Sequence, residues 1–364
     1  MNIFIDENIP LLAESLKNCG KIRLFKGREL TKFDLINGAC DCLFVRSTTK
    51  VNKNLLEQTP VKYLGSATSG IDHIDLNYLS ENKIQFADAK GSNANSVAEY
   101  VVYSILKWSK VNNIDINKLK IGIIGYGNIG KLVGTYSNLL GLDVYVNDPP
   151  LFDNGFKFPD FVKYGELDEI FSNSNIITNH IPLTKSGNYK TYKLIDNNLI
   201  NRISKDSLFI HTSRGGVVDE KALIDALSKR KFSAVIDVWE DEPYINSLLC
   251  RLSFFATPHI AGYSFDGKLK GVKMMLDFFH NVTNIQPDFT IINLYLNEFN
   301  PIAEEYYSKR DELLEILENN RKFEEDYKNF LMTMLYEEKE RAFHFDELRK
   351  NYPLRRESLA LDYI

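Results

Sequence analysis

Cysteine is scarce: four occur in 364 residues, Cys19, Cys40, Cys42 and Cys250, and no two are spaced as a CxxC pair. That argues against a zinc knuckle or a disulfide framework. Nothing demands an oxidising compartment, and buried structural thiols are expected. Cys40 and Cys42 flank Asp41 in an apolar, strand-like run, and strand alternation predicts both thiols on one face. No apolar run approaches membrane-spanning length. Met1-Asn2-Ile3-Phe4-Ile5-Asp6-Glu7-Asn8 lacks the basic and apolar regions of a secretion signal, so a cytoplasmic location is expected. An excess of positive charge is also missing. The formal net charge of −5 gives no reason to expect nucleic acid as a partner. With 44% hydrophobic and 26% charged residues the composition is that of a globular protein, long enough for two or three domains.

What is present is an alternation of strand and helix signals. Strands are expected at 3–5, 42–45 and from Tyr63, with a helix over 9–17. Asn95 to Val111 reads as one long helix with Val97, Val101, Ile105 and Trp108 at helical spacing. The pattern then restarts. Strands are expected at 120–124, 143–147, 176–178, 208–211 and 234–238, and helices over 131–140 and 267–281. Residues from Asn300 to about Arg341 read as charged and helical. Such alternation predicts open parallel sheets covered by helices, with ligands outside the carboxyl ends of the strands.

Gly125-Tyr126-Gly127-Asn128-Ile129-Gly130 follows a buried strand and opens a helix. A lone GxGxxG is weak evidence, but this context is the one dinucleotide binding needs. The first glycine permits the tight turn, the second a close approach to a pyrophosphate, and the third helix–strand packing. The helix start offers N–H groups and partial positive charge to phosphates. Asp148 ends the next strand, 18 positions after Gly130, where a carboxylate accepts adenine-ribose hydroxyls. Pro149-Pro150 follows with no nearby arginine to receive a 2′-phosphate, so NAD is expected rather than NADP.

Three polar residues then appear in order. Arg214, before Gly215-Gly216, presents a fork suited to a carboxylate. The two glycines are read as leaving room for a ligand. His259, in Thr257-Pro258-His259-Ile260-Ala261-Gly262-Tyr263, supplies an imidazole for proton transfer. Glu242 is the acid expected to orient it, with Glu240 and Asp241 as alternatives beside it.

At these residues the sequence resembles the D-isomer-specific 2-hydroxyacid dehydrogenases. Their pattern is a glycine loop, an arginine before Gly, Asp-Val-x-x-x-Glu-Pro and Pro-His, and all four occur here in order. Stretches such as 6–10, 67–73, 259–268 and 345–352 look closer still to one branch, which acts on a phosphorylated 2-hydroxy acid in pyridoxine biosynthesis. The resemblance implies an α/β chain of two doubly wound parallel-sheet domains, plus a C-terminal dimerisation segment. A flavodoxin-like substrate domain (1–94 and 263–285) would flank a Rossmann NAD domain (95–262), with residues 286–364 making a homodimer. It implies Arg214, Glu242 and His259 as catalytic residues and Ser47, Thr68 and Tyr263 as substrate contacts. Cofactor contacts would be Gly125, Gly127, Asn128, Ile129, Gly130, Asp148, Thr212, Ser213, Arg214, Asp237 and Gly262. Two departures stand out: His211 replaces the usual asparagine, and Ile181 replaces a small polar residue near NAD. A substrate phosphate needs donors, for which Arg46, Arg349, Arg355 and Arg356 are candidates; in a dimer through the tail, a tail arginine would reach a neighbouring subunit's site. A relative acting on 3-phosphoglycerate or hydroxypyruvate, or an NAD-sensing regulator, remains an alternative reading.

Overall fold

Two separate parallel sheets carry the chain in the computed structural model, which describes residues 1–117 and 119–360. Internal packing divides them between two units. Met1–Asn93 joins Ser264–Asn300, and Ala94–Tyr263 joins the described residues from Pro301 onward.

The first unit is built on β1 (Asn2–Asp6), β2 (Lys21–Phe25), β3 (Cys42–Val45), β4 (Tyr63–Ser66) and β5 (Gln85–Asp88), in the order β2-β1-β3-β4-β5. All neighbours are parallel. This is the flavodoxin-like order. Ile3, Ile5, Cys42 and Phe44 point to one side, against the helix Phe265–Thr283. Phe4, Leu43 and Val45 point to the other. Cys40 lies with this second set, not beside Cys42. The shared face expected for the two thiols is therefore wrong. Cys40 precedes β3 and follows Ala39, whose φ of 46° breaks the alternation.

The second unit contains β6 (Lys120–Ile124), β7 (Asp143–Asn147), β8 (Val162–Tyr164), β9 (Ile176–Asn179), β10 (Leu208–His211), β11 (Ser233–Ile236) and β12 (Phe255–Ala256). Their order, β12-β11-β10-β9-β6-β7-β8, is the Rossmann arrangement with a seventh strand added at one edge. The long helix Ala94–Asn112 buries Val97, Val101, Ile105 and Trp108 in the core on one face of this sheet.

The charged helical tail divides into Arg310–Arg321, Phe323–Thr333 and Glu338–Lys350, with Lys322 in the left-handed region at φ 54°. Leu313, Leu317 and Phe323 extend one core of the second unit, and Phe330, Met334 and Phe345 extend the other. Tyr327 packs on Phe255 of β12 at 4.9 Å, and Phe330 packs on Trp239 at 5.6 Å. The tail thus covers a two-residue edge strand, one of the ways proteins protect a sheet edge. No helix among the described residues is long and apolar enough to cross a membrane.

Candidate active site

The glycine loop is shaped by contacts that demand glycine at two of its three positions. Gly125 has φ 89°, and a Cβ there would lie 2.7 Å from Ile181 Cγ2. A Cβ on Gly130 would lie 2.1 Å from the Gly125 carbonyl oxygen. At Gly127 a Cβ would meet nothing within 4 Å. That glycine begins the helix Asn128–Leu139 without a side-chain cap, so the first-turn N–H groups of Asn128, Ile129 and Gly130 have no hydroxyl or carboxylate from residue 127. Asp148 accepts the Tyr126 N–H at 2.7 Å and caps the short helix after it through the Leu151 N–H at 3.1 Å. A positive helix start beside an open glycine, with a carboxylate at the end of the neighbouring strand, fits the pyrophosphate and ribose of NAD.

Two histidines sit at the ends of the adjacent strands. His180 follows β9 and contacts Thr178 Oγ1 at 2.9 Å and Thr212 Oγ1 at 3.2 Å. His211 ends β10 and contacts Asn179 Nδ2 at 3.1 Å. Burial pushes both down to about 3, so each is a neutral, hydrogen-bonded part of the scaffold. Thr212 thereby acquires a structural partner. The Ser213 carbonyl accepts from Arg214 Nη1 at 2.8 Å, and Ser213 Oγ is covered without a hydrogen-bond partner among the described residues.

The sequence left three acids beside one another, and the geometry separates them. Glu242 reaches His259 Nδ1 with both carboxylate oxygens, at 3.0 and 2.8 Å, and accepts the Trp239 N–H at 3.0 Å. Glu240 is drawn to Lys193 at 3.9 Å, and Asp241 is exposed. Burial alone would raise Glu242. The His259 imidazole, their hydrogen bond, the Arg349 guanidinium and the Trp239 N–H outweigh it and hold this carboxyl below its ordinary value. An ionised Glu242 fixes the proton on Nδ1 and turns Nε2 into the acceptor.

His259 itself has φ 57°, a left-handed conformation that a non-glycine residue adopts only when its surroundings impose it. Asp237 imposes it. This buried carboxylate accepts from Thr257 Oγ1 at 2.7 Å, the Ile260 N–H at 2.7 Å and the Ala261 N–H at 3.1 Å. Its side chain, expected at the cofactor, is turned into the loop that carries the histidine. Tyr100 Oη and Trp239 Nε1 brace the same loop through Thr257.

The glycines after Arg214 do something other than leave room for a ligand. A Cβ on Gly215 would lie 1.8 Å from the Trp239 carbonyl oxygen, and Gly216 has φ 82°. The arginine loop is pressed against the segment that holds Glu242. Gly215→Ala is expected to displace both loops, costing about 1–3 kcal/mol in urea unfolding and lowering kcat/KM in the same protein.

Behind Glu242, Glu220 accepts the Glu240 N–H at 2.6 Å. Burial, joined by the charges of Glu240, Asp241 and Glu242, pushes Glu220 up to about 7 against the pull of that N–H. Between the ordinary carboxylate range and 7 the folded chain therefore keeps a proton that the unfolded chain has lost. Stability from this group is greatest at low pH and falls as pH rises toward 7. Relative to Glu220→Gln, the wild type is expected to lose on the order of 2–3 kcal/mol as pH rises from ~4.5 through ~7, the loss levelling off about one unit higher. Urea titrations at a series of pH values check this.

Among the remaining candidates, Thr68 Oγ1 lies 3.1 Å from Ser66 Oγ, which also contacts His73, and Ser47 is exposed after β3. Arg349 lies over the Tyr263 ring at 5.9 Å. Arg355 is committed to Asp326 at 2.6 Å and to the Arg321 carbonyl, a structural role. Sequence reasoning missed Arg321. Its buried guanidinium pairs with buried Glu99 and donates to Ser96 Oγ at 2.8 Å and the Tyr263 carbonyl at 3.0 Å. The one available signal was an acid in the middle of the apolar run Val97–Leu106.

The family described as D-isomer specific 2-hydroxyacid dehydrogenase, NAD binding domain, matches residues 97–261. The chain belongs to the D-isomer specific 2-hydroxyacid dehydrogenases. Within that family it is similar to proteins named erythronate-4-phosphate dehydrogenase. One from Wigglesworthia glossinidia brevipalpis is 35% identical over 99% of this chain and 93% of its own length. Another, from Bacteroides thetaiotaomicron, is 35% identical over 100% and 99%. Among solved structures, D-lactate dehydrogenase from Aquifex aeolicus complexed with NAD and lactic acid shares the fold, with a TM-score of 0.64 and 24% identity. That likeness covers 78% of this chain and 96% of the other.

Proposed function

We propose that this chain oxidises 4-phospho-D-erythronate at C2 to 2-oxo-3-hydroxy-4-phosphobutanoate with NAD, a step of pyridoxal 5′-phosphate biosynthesis. The carrying observation is the His259–Glu242 pair, held on a loop anchored by Asp237 in the same unit as the glycine loop. The substrate class comes from the full-length similarity to proteins of that name. NAD bound at Gly125, Gly127, Asn128, Ile129, Gly130 and Asp148 supplies the hydride acceptor. His259 Nε2 takes the proton of the C2 hydroxyl, and Glu242 stabilises the resulting imidazolium through Nδ1. Arg214 grips the substrate carboxylate with its planar fork. Ser47, Thr68 and Tyr263 are its further contacts, and Thr212, Ser213 and Gly262 adjoin the cofactor.

The test is a panel of acids offered to purified protein with NAD. We expect kcat/KM to be highest for 4-phospho-D-erythronate. Higher values for 3-phosphoglycerate or hydroxypyruvate would overturn the substrate assignment. A homodimer through the tail is part of the same proposal, supported by exposed Met332, Leu335 and Phe343 on or beside its helices. A monomer by light scattering would reject it.

A further inference from the structure

The strand order places β7 and β9 on either side of β6, so the segments leaving their carboxyl ends flank the glycine loop. One hydrogen bond joins these two segments. Tyr189 Oη, on the segment after β9, donates at 2.7 Å to Asp153 Oδ2, at the end of the short helix Pro149–Asp153 after β7. The bond therefore spans the carboxyl end of β6, where a dinucleotide lies in this fold.

Both ends of the span are anchored. On the β7 side, Asp148 holds the helix start and the Tyr126 N–H together, so Asp153 stands on a support tied to the glycine loop. On the β9 side, residues 184–191 close on themselves. The Thr184 N–H donates to Thr191 Oγ1 at 2.7 Å, the Thr191 N–H to the Thr184 carbonyl at 3.1 Å, and Thr184 Oγ1 to the Tyr189 carbonyl at 2.9 Å. Thr191 Oγ1 donates on to the Pro182 carbonyl at 2.6 Å, and the Lys193 N–H to the Gly216 carbonyl at 2.8 Å, in the loop that carries Arg214. The tip is different. Gly187 has φ 89°, and a Cβ there would meet nothing within 4 Å. Among the described residues, 185–190 make no hydrogen bond beyond their own loop except that of Tyr189. Tyr189 is 43% exposed, so little apolar burial holds the tip in place. A firm base, an unpacked tip and one bond across the site make a strap that opens by breaking a single contact.

We propose that residues 184–191 form a gate over the dinucleotide site, held shut by Tyr189 on Asp153, through which NAD and NADH enter and leave. This rests on the NAD site proposed above at the glycine loop and Asp148. The gate opens for passage in both directions, so its bond slows entry and release alike. A contact made equally with and without the cofactor shifts no binding equilibrium, so affinity is left unchanged.

The experiment uses the full chain as wild type, Tyr189→Phe, Asp153→Ala and the double variant, each checked for an unchanged melting temperature. Stopped-flow fluorescence follows NADH association and displacement. Both rate constants are expected to rise about 3- to 10-fold in each variant, the worth of one hydrogen bond, with Kd within about twofold of wild type. The double variant should show no further rise, since both residues act through the same bond. Unchanged rates, or rates that multiply in the double variant, would overturn the gate. So would faster release with unchanged association, the mark of a plain contact with the cofactor. Trypsin, which cleaves after lysine, tests the strap without cofactor. Faster cutting after Lys185 or Lys190 in cofactor-free Tyr189→Phe supports it, and equal cutting overturns it. A wild type that binds no NADH, while the variant is still cut faster, would reject the dinucleotide site and with it the gate, and leave the strap standing.

Discussion

His259→Ala is expected to lower kcat roughly 10²- to 10⁴-fold, the usual contribution of a positioned general base, while NAD affinity is retained. The groups assigned to the cofactor lie on the glycine loop, after β7 and β10 and at Gly262, and the imidazole is not one of them. Glu242→Gln should reduce kcat less, because a neutral amide can still accept from Nδ1 but offers less charge to an imidazolium. The pair acts as one device, with both Glu242 oxygens within 3.0 Å of Nδ1. The double variant should therefore lose little more than His259→Ala alone. Steady-state NADH formation and fluorescence titration with NAD check both parts. Independent, multiplying losses would separate the two residues.

The second large effect is on stability. Arg321→Met is expected to cost about 3–5 kcal/mol, since removing one member of a buried ion pair leaves the other charge uncompensated. Glu99 is buried beside Arg321 and also accepts the Ser358 and Leu359 N–H groups. Arg321 in turn holds Ser96, whose hydroxyl donates to the Ala261 carbonyl, and the carbonyl of Tyr263. The pair thus pins the tail to the loop that carries His259. Urea unfolding should show the loss, and limited proteolysis should find the tail cut first in the variant. Replacing both residues, Glu99→Gln with Arg321→Met, is expected to recover part of it, because no bare charge is left behind. No recovery in the double variant would show that packing, rather than charge, carries the effect.

How much of this was legible beforehand follows from the kind of signal each residue leaves. Strands buried on both faces, such as β6, β9 and β10, announce themselves as apolar runs, and the glycine loop declares its neighbours by spacing. Four strands escaped. β2, mostly exposed at the sheet edge, and β5 have mixed polarity, while β8 and β12 contribute three and two residues. The order Arg214, Glu242, His259 was readable with Glu242 as the expected acid, yet setting Glu240 and Asp241 aside needed the contacts of Glu242 with His259 and of Glu240 with Lys193. Gly215 was misread because a glycine beside a candidate site looks the same whether it admits a ligand or a neighbouring carbonyl. Asp237 was placed at the cofactor because its motif runs beside the site, whereas its carboxylate points inward to three donors. Arg321 and Tyr189 act through partners 222 and 36 positions away, separations that no local pattern encodes.

The proposed reaction is hydride transfer from C2 of a phosphorylated 2-hydroxy acid to NAD. Its most direct test is to offer 4-phospho-D-erythronate deuterated at C2 to the purified chain with NAD and analyse the nicotinamide by mass spectrometry. The NADH formed is expected to carry the deuterium, at a rate that falls with His259→Ala. NADH without the label, or no NADH from this acid while another 2-hydroxy acid is oxidised, would contradict it.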